Sequence, residues 1–277
     1  MLLFFSYIVD ALFFHLKMSI EYLTYFKPID YTQFKVIVWP HHKGPQRMCE
    51  STNLERKIAL FSRAAVMKGL SPDAQKEIAN AAVIKRYTKN QVVFRSDTPY
   101  DNFALVEYGL IRVSRYSALG KRLTYLLAGP GEPINLVSPF TKASRANMAE
   151  AARDTTIVSV QNKIFIEFAF AHPQLIINII DTLGQAVDSS NSRILDMLEK
   201  KVIERLKRTL HTLSKKFGPV LNFTAVEIAE LAGTTTETAL RVLGNLRQVG
   251  TIEKRRGQIH IINPEALIDP ETDELWI

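Results

Sequence analysis

The chain contains a single cysteine, Cys49, among its 277 residues. One cysteine excludes an intrachain disulfide, and it excludes a four-cysteine iron–sulfur or zinc site held by one chain. Histidine is also sparse, and its absence between His42 and His172 disfavours a histidine-ligated haem. No nucleophile–base motif, metal-ligand spacing or phosphate loop is present, so we predict that the protein is not an enzyme. The low cysteine usage predicts a cytoplasmic location.

The chain also lacks an uninterrupted hydrophobic run of membrane-spanning length. Residues 1–26 are strongly apolar, but Asp10, His15, Lys17 and Glu21 interrupt them. The apolar stretches therefore fall short of a membrane span, and the basic start and cleavage site of a signal peptide are missing. Three interpretations of this segment remain open: an amphipathic docking helix, a weak membrane-surface anchor, or translation from a start codon upstream of a true start at Met48. We interpret residues 1–52 as an apolar extension followed by a linker.

The C-terminal part of the chain carries consecutive helix-start and helix-stop signals. Thr224 and Glu227 have the spacing of a capping box, and Thr234 and Glu237 repeat that spacing. Gly233 lies between the two and supplies a turn, because glycine tolerates the left-handed conformation that ends helices. The first helix has three apolar residues that we expect to be buried: Val226, Ile228 and Leu231. The pattern predicts a helix-turn-helix.

The second of these helices has two distinct faces. Apolar residues at helical spacing form the predicted buried stripe: Ala239, Val242, Leu243 and Leu246. The other side carries Thr236, Glu237, Leu240, Arg241 and Gly244. An exposed Arg can bond guanine O6 and N7, and an exposed Glu can accept from cytosine N4, so this face suits major-groove reading. The alternative is that Glu237 and Arg241 form only an ion pair within the helix.

Residues 251–261 have the pattern of a strand, a turn at Gly257 and a second strand, which would be the wing of a winged helix-turn-helix. Basic residues cluster near its tip: Lys254, Arg255 and Arg256. We predict that they contact DNA phosphates, together with Thr224 and Thr234 at the two helix starts. The net charge of +7 suits a polyanionic partner. We place the winged helix-turn-helix at residues 218–268 and a tail at residues 269–277.

In the middle of the chain the spacing of apolar residues changes from a helical period to a period of two. Helical patterns run from Asn53 to Gly69 and start again at Pro72, and from about Val83 short alternating strands follow one another. The clearest strands cover residues 92–94, 103–106, 110–113, 123–127, 149–151 and 156–160. Short strands at even spacing predict a sandwich or small barrel, which we place at residues 53–168.

A long helix is predicted to begin at Pro173. Its apolar residues alternate at spacings of three and four and form a candidate dimer seam: Ile176, Ile180, Leu183, Val187, Ile194 and Met197. Such an a/d seam is typical of two paired helices, and Ser190 interrupts it with Asn191 beside it. The alternative is one helix that packs on its own barrel. We assign residues 169–217 to dimerisation and connecting helices.

The order of barrel, long helix and winged helix-turn-helix resembles the family of the cyclic-AMP receptor protein and FNR, over about residues 54–268. The strongest match is TTTETALRVLGNL, which looks like the family's recognition helix. By position, Glu237 and Arg241 match the family's base-reading Glu and Arg. Thr236 stands where the cyclic-AMP receptor has another DNA-contacting Arg, and Leu240 where FNR has a base-contacting Ser.

This resemblance implies an α+β protein with a cyclic-nucleotide-binding-like β-barrel (jelly roll), a dimerisation helix and a C-terminal winged helix-turn-helix. It implies a homodimeric, sequence-specific transcription regulator that binds double-stranded DNA with a two-fold site, closer to a TTGA-type half-site than a TGTGA one. It also implies RNA polymerase as a partner. The competing hypothesis is a ligand-binding or membrane-surface-docked interaction protein that does not act on DNA.

The resemblance also suggests an effector site. Four residues stand in places that bind a cyclic nucleotide in some family members: Glu132, Arg145, Ser190 and Asn191. The sequence departs from that pattern, because Pro133 removes a backbone N–H and Ala146 lacks a hydroxyl. Arg145 is alternatively a solvated loop residue. The effector is therefore unknown: a cyclic nucleotide, an apolar ligand in the barrel and no ligand all remain open.

Overall fold

The computed structural model describes residues 53–120, 122–141, 147–255 and 257–268. The predictions for residues 1–52, Arg145, Arg256 and the tail lie outside these described residues. Two helices open the described chain, α1 at Asn53–Arg63 and α2 at Pro72–Ala81. As predicted, α2 begins at its proline, and the Ser71 hydroxyl caps it by accepting from the Ala74 N–H at 3.2 Å. The first helix is shorter than predicted, since it ends at Arg63 and a 3-10 turn, Ala65–Met67, follows.

Seven antiparallel strands form the predicted barrel in two sheets. In chain order they are β1 Val83–Tyr87, β2 Val92–Phe94, β3 Asn102–Tyr108, β4 Ile111–Tyr116, β5 Arg122–Ala128, β6 Met148–Ala151 and β7 Thr155–Gln161. The three-stranded sheet has the order β1-β7-β3, and the four-stranded sheet has the order β2-β6-β4-β5. The last strand thus returns between two early ones, as in a sandwich with crossing connections.

Two apolar layers hold this part together. Between the sheets the core is built from alternate residues of facing strands, among them Phe94, Val106, Ile111, Leu126 and Ile157. This alternation is the reason for the period of two in the sequence. The second layer lies between the three-stranded sheet and the helices, where the rings of Phe103 and Phe165 stack with centroids 3.9 Å apart.

Two helices follow the barrel, α3 at Asn162–Ala171 and α4 at Pro173–Glu199. Pro173 occupies the first turn of α4 as predicted, because its missing N–H costs nothing there. The predicted barrel boundary at residue 168 falls inside α3, since the last strand ends at Gln161. Among the described helices, none alone is long and apolar enough to cross a membrane; α3 and α4 reach that length only as a pair bent by 108°.

The C-terminal part contains α5 Val202–Phe217, β8 Val220–Leu221, α6 Ala225–Ala232, α7 Thr236–Gln248, β9 Ile252–Arg255 and β10 Gln258–Ile261. Leu206, Leu210 and Leu213 of α5 share one hydrophobic core with α6 and α7. Their burial makes α5 part of the C-terminal domain, whereas the sequence pattern had grouped it with the dimerisation helix. The expected α+β fold, with a barrel before a long helix and a winged helix-turn-helix, is confirmed.

Candidate nucleic-acid interface

The first helix of the motif, α6, begins at the predicted capping box. The Glu227 carboxylate accepts from the Thr224 N–H at 2.8 Å, and the Glu227 N–H donates to the Thr224 hydroxyl at 3.3 Å. These bonds satisfy backbone donors that have no partner within the helix. Ile228 and Leu231 are buried as expected, but the prediction for Val226 is wrong, because its side chain is 46% exposed. The helix is short, and only one of its faces meets the core.

The turn between the two helices depends on Gly233. Its φ of 63° and ψ of 42° lie in the left-handed region, and its N–H donates to Ala229 O at the end of α6. A Cβ at this position would come within 2.6 Å of Cε of Met197 on α4, so glycine also permits a close approach of the long helix. The predicted second capping box is not formed. Thr235 rather than Thr234 is the N-cap of α7, and its hydroxyl accepts from the Thr238 N–H at 3.2 Å.

The second helix, α7, shows the two predicted faces. Its buried residues are Ala239, Val242, Leu243 and Leu246, which pack in the same core as α5. Its solvent face includes Glu237, Leu240, Arg241, Gly244 and Asn245, while Thr236 is half-buried at the first turn. A rigid buried stripe therefore presents the polar side chains of the first two turns outward, which is the arrangement in which a recognition helix reads base edges.

Glu237 and Arg241 have no intramolecular partner within the part of the chain that the structure describes. The interpretation of these two residues as a helix ion pair is therefore not supported. Both side chains are exposed, so their hydrogen-bonding groups face water in the free protein. An exposed Arg loses little on meeting a guanine edge, because no internal hydrogen bond must first be broken.

The wing is a hairpin with a third strand that the sequence pattern missed. Ile252 pairs with Ile261 and Arg255 with Gln258, while β10 also pairs with β8 through Ile259 and Leu221. β8 has only two residues, too few to show an alternating pattern, so its composition carried no signal.

The basic side chains near the wing tip point into solvent. Lys254 and Arg255 are exposed, and Arg255 forms an exposed ion pair with Glu253 at 3.2 Å. Such a pair is weak in water and can be exchanged for a phosphate contact. Thr224 is exposed and Thr234 half-buried at their helix starts. No described group of His, Cys, Asp or Glu side chains could hold a metal ion.

Of the candidate effector residues, the structure describes Glu132, Ser190 and Asn191, whereas Arg145 lies outside the described residues. The Glu132 carboxylate accepts from the Gly129 N–H at 2.8 Å and pairs with Lys216 Nζ of α5 at 2.8 Å. Ser190 and Asn191 are exposed on α4, and the Ser190 hydroxyl donates to its own helix at Ala186 O.

The backbone around Glu132 is also committed to internal hydrogen bonds. The N–H groups of Gly131 and Ile134 donate to Val106 O and Ala104 O of β3, and Pro133 has none to offer. These two backbone N–H groups are therefore not free to bind a ligand phosphate. A surface depression of ≈ 580 Å³ lies elsewhere, at the start of α3, between Asn102, Gln161 and Lys163.

The candidate dimer seam is exposed along most of α4. Ile180 is 62%, Val187 58%, Ile194 57% and Met197 43% exposed. Ile176 and Leu183 are half-buried against the apolar layer between the helices and the three-stranded sheet. A stripe of large apolar side chains left open by a single chain is typical of an oligomer interface.

Several arginines that sequence reasoning did not single out lie between the barrel and the helix-turn-helix. Arg193 of α4 donates to Thr124 O of β5 at 3.1 Å and to Leu231 O of α6 at 2.8 Å. Burial lowers the pKa of Arg193, and the nearby Asp196 charge only partly offsets this effect. For Arg122, burial also acts to lower the pKa, but the hydrogen bond to Glu230 and the charges of Glu230 and Glu150 outweigh it, so that the pKa is raised. No short-range pattern in the sequence marks these residues, because their partners lie far along the chain.

Two family models match the chain in the order that the structure shows. A model described as a cyclic nucleotide-binding domain matches residues 84–172, and one described as a Crp-like helix-turn-helix domain matches residues 204–269. The first covers the barrel and α3, and the second covers most of α5 and the whole helix-turn-helix.

Similar proteins cover most of the same region. A CRP-like cAMP-activated global transcriptional regulator of Mycobacterium tuberculosis is 20% identical over 216 residues, which are 75% of this chain and 96% of that protein. The cyclic AMP receptor protein of Thermus thermophilus is 26% identical over 198 residues, 70% of this chain and 90% of that protein. The solved structure of FixK2 from Bradyrhizobium japonicum is similar in fold, with a TM-score of 0.61 at 20% identity; the match covers 67% of this chain and 95% of FixK2.

Proposed function

We propose that this chain, which belongs to the CRP/FNR family of DNA-binding transcription regulators, acts as a homodimer that reads a two-fold DNA site with the exposed face of α7. The observation that carries the proposal is the pair Glu237 and Arg241. Both are exposed on the first two turns of α7 and neither has an intramolecular partner among the described residues. Arg241 is assigned to a guanine and Glu237 to a cytosine, with Thr236 and Leu240 at the edges of the same contact. A TTGA-type half-site is the expected core.

The phosphate contacts are assigned to groups that flank α7. Lys254 and Arg255 of the wing are exposed, and Arg256 follows them in the sequence. Thr224 is the N-cap of α6 and Thr234 directly precedes the N-cap of α7, near backbone N–H groups that favour an anion. These contacts would place the protein on the duplex and give most of the salt dependence, while α7 gives the sequence preference.

The homodimer is proposed from the exposed seam on α4. Pairing Ile180, Val187 and Ile194 with the same residues of a second chain would remove the apolar stripe from water. A two-fold dimer carries two copies of α7, so it would recognise half-sites one helical turn apart, about 34–36 Å centre to centre. RNA polymerase is the protein partner that such a regulator would act on, and the cytoplasm is where it would work.

The signal is proposed to enter through the barrel, and its chemistry is left open. The Glu132 carboxylate is paired with Lys216 in the absence of a ligand. A cyclic nucleotide would therefore have to displace Lys216 from Glu132. Arg145, Ser190 and Asn191 would supply its other contacts. A change of the barrel that favours one dimer geometry would shift the population of DNA-competent molecules.

The experiment that tests the proposal is selection of bound DNA from a random pool by the full chain, with no addition, with cyclic AMP and with cyclic GMP. The expected result is a two-fold sequence with half-sites one helical turn apart. Recovery of a single unpaired half-site would contradict the homodimer, and recovery of no preferred sequence would contradict the DNA-reading role. An unchanged yield with both nucleotides would remove them from the list of effectors.

A further inference from the structure

The outer face of the four-stranded sheet is polar but buried. Arg112 of β4 and Glu150 of β6 are cross-strand partners, and Arg112 Nη2 lies 2.6 Å from Glu150 Oε1. Ser114 and Thr124 on the same face are also buried. Outward residues of a sandwich normally face water, so another part of the chain must cover them.

The cover is α6, the first helix of the helix-turn-helix. Glu230 accepts from Arg122 through Nε at 3.0 Å and Nη2 at 2.8 Å, while Arg122 Nη1 reaches Glu150 at 2.7 Å. Glu227 lies 3.5 Å from Arg112 Nη1. The Arg122 guanidinium thus bridges a barrel carboxylate and an α6 carboxylate, which its planar set of donors permits and a lysine would not. We call Arg112, Arg122, Glu150, Glu227 and Glu230 the ionic clamp.

The side chains of the ionic clamp are largely buried. The side chains of Arg112, Glu150 and Glu230 are 7%, 11% and 15% exposed, and that of Arg122 is 22% exposed. Removing one partner of such a pair leaves the other charge buried without compensation, which is far more disruptive than loss of a surface pair. The clamp is therefore able to specify one orientation of α6 on the sheet.

Two further arginines hold the same helix from its ends. Arg153 donates to Asn222 O just before α6, and its guanidinium lies 5.1 Å from the ring centroid of Phe223. Arg193 joins α4, β5 and the last turn of α6. The long helix, the barrel and the helix-turn-helix therefore meet at α6, and the orientation of α6 sets that of α7 through their shared core.

The negative charges of Glu227 and Glu230 on α6 link the ionic clamp to DNA binding. In a helix-turn-helix the first helix crosses the DNA backbone, so free carboxylates on it add negative charge near the phosphates. Like charges at that range repel, and the barrel arginines neutralise Glu227 and Glu230 while the clamp is closed. Opening the ionic clamp would expose both carboxylates and leave α7 without a fixed orientation.

We propose that the ionic clamp, formed by Arg112, Arg122 and Glu150 of the barrel with Glu227 and Glu230 of α6, fixes the helix-turn-helix on the barrel in the orientation that binds DNA. Strands β4, β5 and β6 thereby transmit the state of the barrel to α7. This inference rests on the proposed DNA-reading function and adds the contact through which the barrel regulates it.

The test is a charge exchange between Arg122 and Glu230 in the full chain, with affinity measured on the DNA selected by the wild-type protein. Arg122→Glu and Glu230→Arg should each weaken binding by roughly tenfold or more, about 1.4 kcal/mol. In the double variant the two losses should be less than additive, because the bond between the two residues is removed only once. Full recovery is not expected, since Arg122 also pairs with Glu150 at 2.7 Å and Glu230 lies 3.8 Å from Arg112. Glu230→Arg is the more decisive variant. Added positive charge alone would strengthen DNA binding, so a loss of affinity would have to come from the broken ion pair.

The matched control is Arg115→Glu, which makes the same charge change at an exposed position of β4. It should weaken binding less than Arg122→Glu does. Amide hydrogen exchange of α6 provides a readout without DNA: exchange should rise in both single variants, and the rise in the double variant should be smaller than the sum of the two single rises.

Unchanged or tighter binding by the single variants, or losses that add fully in the double variant, would overturn the clamp while leaving the DNA-reading function intact. A wild-type protein that selects no sequence would instead refute the proposed function, and with it the role of the clamp in DNA binding.

Discussion

The most direct consequence of the structure concerns Arg241. Replacement by alanine should remove a base contact and little else, because the side chain is exposed and has no partner among the described residues. A bidentate contact to guanine discriminates by about 1–3 kcal/mol, which is roughly 5- to 150-fold in Kd for one half-site. A homodimer carries the residue twice, so a two-fold site should lose about 2–6 kcal/mol when the two sites contribute independently. The free energy of unfolding should change by less than about 0.5 kcal/mol, as for other exposed substitutions.

The assay is a binding titration at fixed salt on the selected DNA and on versions with each base pair replaced in turn. Wild-type protein should discriminate strongly at one G·C pair of each half-site, and Arg241→Ala should lose discrimination at that pair alone. Arg247→Ala is the matched control, because Arg247 is also exposed on α7 but lies in its last turn. An equal loss on every sequence, or the same profile from Arg247→Ala, would show that Arg241 only contributes charge and would refute the base-reading assignment.

Three further predictions follow from the wing, the seam and the turn. Lys254→Gln with Arg255→Gln should weaken DNA binding on all sequences and reduce the slope of log K against log salt by about 4, since a homodimer loses four phosphate contacts and each accounts for about 0.9 released counterions. Val187→Asp should shift the protein from dimer to monomer in sedimentation equilibrium without unfolding it, because this side chain is 58% exposed in one chain. In chemical denaturation, Gly233→Ala should destabilise by about 1–2 kcal/mol because of its left-handed φ. Gly244→Ala should stabilise by about 0.5–1 kcal/mol, since a Cβ there meets open space within a helix.

Each of these predictions has a control and a contradicting outcome. For the wing, Arg86→Gln on β1 removes one exposed charge from the barrel and should leave the salt slope unchanged; a slope unaffected by the wing variant would exclude its phosphate role. For the seam, Gln185→Asp changes an exposed residue of the same helix off the stripe, and an equal effect of both variants would argue against the seam. For the turn, loss of stability at Gly244 or a gain at Gly233 would contradict the backbone argument.

Much of the DNA-reading motif could be predicted from short-range patterns. The capping box at Thr224 and the turn at Gly233 occur where the spacing placed them, since both depend on backbone groups within a few residues. The N-cap of α7 was misplaced by one residue, because three consecutive threonines, 234–236, offer equivalent hydroxyls and only the packing of α7 selects Thr235. Val226 was misjudged because an apolar residue on a short helix does not reveal which face the core covers.

The contacts of the candidate effector residues could not be predicted from short-range patterns. Glu132 stands in the expected place along the chain, yet its carboxylate is bound to Lys216 of α5, more than eighty residues away. Nothing in the local sequence around either residue predicts that pairing. Likewise, an alternating strand pattern predicts that Arg112 faces outward but not that α6 covers it.

The sequence by itself determined the elements of this protein and their order. The barrel strands, the seam residues of α4 and the two faces of α7 follow from periodicity, capping and turn chemistry, which act over a few residues. Only the tertiary structure decided that α5 belongs to the DNA-binding domain, that α6 lies on a buried polar sheet face, and that Arg122 joins Glu150 to Glu230. The physical reason is that burial and ion pairing depend on which surfaces meet in space, and those surfaces come from segments about a hundred residues apart.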